Sequence, residues 1–258
     1  MLSSISYPAS SSNVVLDVQG LTGPSGDPII HDIALRVGAY DTVLVLGPIQ
    51  SGKSMLMRHL LGLEAAERGE VAIDGVAFDP SQSPDDALRK LRTRIGVIFA
   101  GSALLTRISV VENVELPLLE HTVATTAEAR EAARELLAEV GMHVDDETMP
   151  ADLDRAQQRR VALARAIALR PCLLLLDEPT LGLDSHAAHE FDKVFEALQQ
   201  RYGFGGLIFS HEVRHAFGPV KEIVIMADGR IVARGLRDAL LESEDPFVRR
   251  LLHRRERE

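Results

Sequence analysis

Only one cysteine occurs in the 258 residues, Cys172, and it lies within an apolar run. No disulfide framework can form inside the chain, which suits a reducing compartment. Positive charge is also short: 28 Lys and Arg face 38 Asp and Glu, for a formal net charge of -10. This balance disfavours a general nucleic-acid binder, because a phosphate backbone is ordinarily met by a basic surface. No apolar run approaches the roughly 20 residues needed to cross a bilayer. Residues 1–12 are Ser-rich and lack the basic-then-apolar pattern of a secretory signal. Any membrane role must therefore run through a partner. There is no internal repeat, and no low-complexity tract beyond those serines.

The chain does have a 46% hydrophobic composition, ample for one large α/β domain or for a core with an inserted subdomain. Residues 1–12 read as a flexible lead, and structure is expected to begin near Asn13. Residues 14–18 alternate as a half-buried strand, residues 42–46 are apolar, and a helix is expected from Lys53 to about Leu61. A strand at 70–75 closes on Asp74-Gly75; a charged helix starting near Ser83 leads to a strand at 96–99. From about 101 to 162 the pattern is helical, and clearest at 128–140. There Thr125 and Glu128 have capping-box spacing, Ala129, Ala132, Ala133, Leu136, Leu137 and Val140 form one face, and Gly141 stops the helix. Residues 172–176 form a near-continuous apolar run, as in a central parallel strand; 207–209 and 222–226 look alike. Asp228-Gly229 signals a hairpin into 230–233. The expected fold is an α/β core with a mainly parallel sheet, an antiparallel β-rich N-terminal part and a helical insertion. Its divisions are 13–100 with 163–235 for the core, 101–162 for the helical part and 236–258 for a C-terminal helical extension.

Gly47-Pro48-Ile49-Gln50-Ser51-Gly52-Lys53-Ser54 fits the phosphate-loop pattern between a strand and a helix. Gly47 and Gly52 let the backbone wrap closely enough for successive N–H groups, with Pro48, Ser51 and Met55 beside them, to face phosphates. Lys53 supplies a point charge, and Ser54 a hydroxyl ligand for Mg²⁺. A glycine-rich turn alone could be only a turn; the strand-loop-helix order argues otherwise. Asp177 and Glu178 end the apolar run, at the strand end where α/β sheets place ligands. Asp177 would hold Mg²⁺ through water, and Glu178 would accept a proton from the attacking water. A solvated strand end is the bland reading. His211 follows another strand to the same edge, where it could hydrogen-bond a γ-phosphate.

The order GPIQSGKS, LLLLDEP, Leu181-Gly182-Leu183-Asp184 and Phe209-Ser210-His211 resembles the ATP-binding subunits of ABC transporters over nearly the whole chain. The resemblance implies a P-loop NTPase core, ATP and Mg²⁺ as ligands, and ATP hydrolysis coupled to transport. It casts Glu178, His211 and Lys53 as catalytic and Asp184 as the D-loop acid. It also implies membrane permease subunits and a second ABC ATPase subunit as partners, at the cytoplasmic face of the inner membrane, without nucleic acid. Residues 104–122 and 245–250 look most like the ATPases of Mla/Mce-type lipid-trafficking systems. That narrower likeness implies phospholipid or another apolar cargo, with a small regulatory subunit and a lipid-binding protein as further partners.

The chain departs from the family in three places. The signature segment should fall at Leu153-Asp154-Arg155-Ala156-Gln157, where the serine and both glycines are missing. An ionised Asp154 repels a triphosphate, and Arg155 and Ala156 carry Cβ atoms where close backbone approach is needed. Read as structure, Asp154 is a helix cap, with Arg155, Arg159 and Arg160 forming a solvated face. Ala100 stands where the family has a glutamine that helps hold Mg²⁺, with Ser102 nearby as a substitute ligand. No aromatic lies at 22–26 to stack on adenine, a loss worth about 0.5–1.5 kcal/mol. His186 and His189 read as a solvated face rather than a metal pair. The basic end, 249–258, suits lipid head groups, a neighbouring subunit or a helix end equally well.

The retained catalytic residues beside an altered signature fit an asymmetric dimer with a subunit of intact signature. A non-hydrolysing subunit in a structural or regulatory role is the alternative. A DNA-repair or translation ATPase is disfavoured by acidity and by the lack of a long coiled coil.

Overall fold

The computed structural model describes residues 13–24, 30–78, 85–212 and 220–252. The lead at 1–12, part of the 22–26 segment, expected to lack an adenine-stacking aromatic, and the chain end beyond 252 fall outside these residues.

The strands form two sheets. An antiparallel sheet holds β1 (Val14–Thr22), β2 (Ile33–Gly38), β4 (Arg68–Ile73) and β5 (Val76–Phe78), in the order β2-β1-β4-β5. The second sheet holds β3 (Thr42–Leu46), β6 (Ile95–Ile98), β7 (Leu173–Asp177), β8 (Gly205–Ser210), β9 (Glu222–Ala227) and β10 (Arg230–Gly235), in the order β10-β9-β3-β8-β7-β6. All its pairings are parallel except β10 with β9, the hairpin turning at Asp228-Gly229.

The near-continuous apolar strands are explained by what covers them. Side chains alternate faces along a strand, so Leu44, Leu46, Leu174, Leu176 and Ile208 enter one core, while Val43, Val45, Leu173, Leu175 and Leu207 enter the other. The second core is closed by the antiparallel sheet, by α1 (Lys53–Leu60) and by α2 (Asp85–Arg92). The first is closed by α3 (Val110–His121), α4 (Thr126–Glu139), α5 (Arg155–Ile167) and α6 (Ser185–Tyr202), with the C-terminal α7 (Arg237–Leu241) and α8 (Pro246–Leu252). Each buried leucine contributes about 1.5–3 kcal/mol of transfer free energy. β10, by contrast, is only half-covered and carries Arg230 and Arg234, which suits an edge strand.

Local signals start and stop the helices. Thr125 and Glu128 form the capping box expected of α4, and Gly141, at φ 72°, follows its end. Ser109 and Glu112 form a second box at α3. The expected division at residue 162 falls inside α5, which packs on α3 and α4 and also on β6 and α6. Among the described residues, no helix is long and apolar enough to cross a membrane.

Candidate functional site

β3, β7 and β8 run parallel and end at one edge of the sheet, and the residues following them converge there. After β3, Gly47 donates its N–H to Ser210 O at 3.1 Å, and a Cβ on Gly47 would lie 2.3 Å from Met226 O. Only glycine fits that approach. Gln50 at φ 67° and Gly52 at φ 100° turn the loop, and α1 begins directly at Lys53. Lys53 is 8% exposed, and its Nζ donates to Gly47 O at 2.7 Å, Pro48 O at 2.9 Å and Ser51 Oγ at 3.3 Å. Burial pushes its pKa down, against the pull of Glu178 and then Asp177. Ser54 is exposed, Met55 half-buried, and Ile49 stands out at the loop tip.

Asp177 ends β7, in register with Phe209 on β8. Its pKa is raised, chiefly by burial and then by Glu178, while Lys53, the Ala100 N–H and Arg159 oppose the rise. Glu178 adopts φ 45°, and its N–H donates to Phe209 O at 2.9 Å. The turn aims its carboxylate at the end of β8. There it accepts from Ser210 Oγ at 2.9 Å and from the His211 N–H at 2.8 Å, with His211 Nδ1 at 2.6 Å. Lys53, Asp177, Glu178 and His211 thus occupy one electrostatically linked cluster.

The family described as ABC transporter matches this chain over residues 30–181, more than half of its length. The chain belongs to the ABC transporter family. It is an ATP-binding subunit of that class, built on an ABC-type ATPase domain. It is 33% identical over 232 residues to the glutamate/aspartate import ATP-binding protein GltL of Escherichia coli, covering 87% of this chain and 94% of that protein. It is 36% identical to the lipoprotein-releasing system ATP-binding protein LolD of Anaeromyxobacter dehalogenans, covering 83% and 89%. A probable ribonucleotide transport ATP-binding protein, mkl, of Mycobacterium tuberculosis is 32% identical over 94% of this chain and 67% of its own. Among solved structures, the ATP-binding cassette MJ0796, a dimer bound to ADP and Pi, superposes with a TM-score of 0.74 at 29% identity, over 85% and 97%. The family match ends at Leu181, so Asp184 and His211 lie beyond it.

The donors present fit ATP and Mg²⁺: a glycine cradle, a buried ammonium, an exposed hydroxyl and a carboxylate are hard, oxygen-rich partners for phosphate and a small cation. Among the described residues, no three His, Cys, Asp or Glu converge as a metal site.

Other expected residues stand apart. Asp154 caps α5, accepting from Gln157 N at 2.8 Å, while Gln157 Oε1 accepts from Asp154 N at 3.0 Å. Among the described residues, no hydrogen bond or ion pair joins Asp154, Arg155 or Ala156 to Lys53, Asp177 or Glu178. Arg155 lies against Gly182, where a Cβ would meet its Nη1 at 2.9 Å. Asp184 caps α6, accepting from Ala187 N at 2.8 Å. His186 and His189 are exposed.

Two expectations need correction. Arg159 is not part of a solvated face: it is 5% exposed and its Nη1 donates to Phe99 O at 3.2 Å. Ser102 is buried rather than presented as a ligand, and its carbonyl accepts from Arg165 Nη2 at 3.1 Å. A signal for Arg159 did exist. It lies three and four residues before Ala162 and Leu163, on the buried face of α5.

Proposed function

We propose that this chain hydrolyses ATP to drive a membrane permease, with phospholipid or another apolar molecule as cargo, and that it does so as one half of an asymmetric ATPase dimer. The observation that carries hydrolysis is the convergence of Lys53, Asp177, Glu178 and His211, with Glu178 held 2.6 Å from His211 Nδ1. In this reading Gly47, Pro48, Ser51, Gly52 and Met55 line the phosphates, and Lys53 leaves the loop carbonyls to meet the β- and γ-phosphoryl oxygens. Ser54 and Asp177 hold Mg²⁺, which supplies charge neutralisation at the phosphates when bound. Glu178 takes the proton of the attacking water, while the Ser210 hydroxyl and the His211 N–H fix its carboxylate. His211 contributes its imidazole to the γ-phosphate side. The dimeric ADP and Pi complex of the neighbouring cassette supports both the ligand and the two-chain arrangement.

The asymmetry rests on the end of α5. With Asp154 filling that helix N-terminus and Arg155 turned onto Gly182, the segment offers a poor lid to a partner's triphosphate. A partner with an intact signature then closes this chain's own site. Cargo rests on the likeness of 104–122 and 245–250 to Mla/Mce-type ATPases; the named relatives span amino-acid import, lipoprotein release and ribonucleotide transport. The same capped α5 favours a second reading, a non-hydrolysing subunit in a supporting role. Turnover measured on the purified chain alone, and then with its co-purified ATPase partner, separates the readings. The asymmetric enzyme predicts turnover that needs the partner; vigorous turnover alone removes the asymmetry. Turnover absent in both states, or unchanged by Glu178→Gln, removes the enzyme. Analysis of what co-purifies with the permease complex tests the cargo: an extract enriched in neither phospholipid nor another apolar molecule would refute it.

A further inference from the structure

We infer that Gly229, in the turn of the β9–β10 hairpin, is a positioning residue for the loop at 47–54, the proposed phosphate cradle. The inference deepens the nucleotide-site reading and rests on it. β9 runs parallel to β3, with Leu46 in register with Ile225, so the hairpin reaches the same sheet edge at which the loop begins. There the Gly229 N–H donates to Ser51 O at 3.1 Å, and the Gly229 carbonyl accepts from His31 N at 2.8 Å. A trans peptide points its carbonyl and its N–H in opposite directions. Holding Ser51 O on the hairpin therefore turns the Gly52 N–H away from it and, in the nucleotide-site reading, toward the phosphates. One residue fixes the direction of a phosphate donor from behind.

A second hairpin in the chain shows that this contact is more than a property of the turn. Asp228 and Gly229 take φ values of 47° and 72°, and Asp74 and Gly75, between β4 and β5, take 49° and 75°. Both turns join strands paired on either side of two residues, Ala227 with Arg230 and Ile73 with Val76. Gly75 is exposed, and a Cβ there would meet nothing within 4 Å. Gly229 is buried, and the loop packs directly on its turn. A Cβ on Gly52 would lie 3.3 Å from Gly229 Cα, and one on Gly47 would lie 2.3 Å from Met226 O, on the strand that leads into the turn. Ser51 is buried as well, and a buried carbonyl left unpaired is costly, so the loop keeps its shape only while the Gly229 N–H stays in place. That N–H is aimed by a left-handed backbone, which glycine adopts freely and a β-branched residue resists.

The test is MgADP binding by the full chain, measured by calorimetry beside a denaturant melt. Gly229→Val disfavours the left-handed backbone and shifts the N–H away from Ser51 O, so affinity is expected to fall about tenfold, the low end for one hydrogen bond to a charged group. Gly229→Asn tolerates that backbone and should keep affinity within about twofold. Gly75→Val puts the same strain into the other hairpin and should also keep affinity within about twofold. The proposal is overturned if Gly229→Val keeps full affinity, or if either Gly229→Asn or Gly75→Val loses as much as Gly229→Val. A measurement on the unaltered chain covers the case in which Gly229→Val does not fold. If the hairpin holds the loop, bound nucleotide must in turn hold the hairpin. Amide hydrogen exchange at Gly229 should then slow at least about fivefold on saturation with MgADP, while exchange at Gly75 changes by less than about twofold. No slowing at Gly229, or equal slowing at both glycines, overturns the proposal. If the unaltered chain binds no MgADP, the nucleotide-site reading fails and takes this inference with it, a result distinct from all of these.

Discussion

Glu178 shows how one side chain is held ready at some cost. Its left-handed backbone costs on the order of 1–3 kcal/mol, offset by three partners from the end of β8. Glu178→Gln keeps an oxygen for the His211 N–H and an amide that Ser210 Oγ can meet, so the fold should be preserved. What is lost is the proton acceptor of the proposed mechanism. Turnover in the assembled transporter should fall by about 10²–10⁴-fold while MgATP still binds; a steady-state assay beside an equilibrium binding curve reads both. Asp192 makes a different prediction, of stability with pH. Its Oδ1 has no hydrogen-bond partner among the described residues, and burial first, then Glu196 one turn along α6, raises its pKa from 3.8 to about 7. The native state thus holds this proton more tightly than the unfolded chain, so stability is lost as pH rises from 3.8 toward 7. Asp192→Asn should leave stability unchanged near pH 3.5 and raise it by about 1 kcal/mol at pH 8, a figure discounted because the carboxyl reaches solvent. Denaturant melts at the two pH values decide, and an Asn variant no more stable at pH 8 refutes it.

At the scale of elements, the clearest local rule is the cap. Thr125 Oγ1 and Glu128 bond each other's end of α4, and Thr125→Ala should cost about 1 kcal/mol in a urea melt, with a cost below measurement counting against the cap. This box was legible because both partners lie within one turn. β7 and β9 were legible too, because a strand covered on both faces must be apolar at every position. The strand-loop-helix turn at 47–54 could be read because its backbone geometry demands glycine at Gly47 and Gly52. The loop at 99–103 could not. Its left-handed run involves Ser102 and Ala103, which carry no local preference for it, and its anchors come from arginines about 60 residues later. Arg159 was misread for a related reason. An arginine is ordinarily solvated, and only the tertiary packing of α5 on β6 reveals a buried one. The same limit applies to Asp184. A D-loop acid and a helix N-cap look alike in sequence, and the hydrogen bond from Ala187 N shows the cap.

For the molecule as a whole, what matters is that α5 spans the chain's two halves. Its N-terminus is the segment proposed to be an altered signature, and its middle holds the loop at 99–103 through Arg159 and Arg165. If asymmetry comes only from the signature, rebuilding that segment should make the chain self-sufficient. The change is Asp154→Ser, Arg155→Gly and Ala156→Gly together. Serine caps a helix about as well as aspartate, so α5 should still start in place, and two glycines in the first turn should cost about 1–2 kcal/mol in all. The lid gains a neutral hydroxyl and a bare backbone where it had a carboxylate and Cβ atoms. Removing one preorganised donor from such a site typically costs about 10²-fold in rate, so restoring them should raise turnover of the isolated chain by about that factor. Paired with a subunit of intact signature, the same change should add no more than about twofold, because in the proposed asymmetric dimer the partner's lid would already close this chain's site and the rebuilt segment would serve only the other. An assay at matched protein concentration, with a thermal melt to confirm folding, reads both arms. If the rebuilt chain stays silent alone while its fold is intact, the signature is not what makes it depend on a partner.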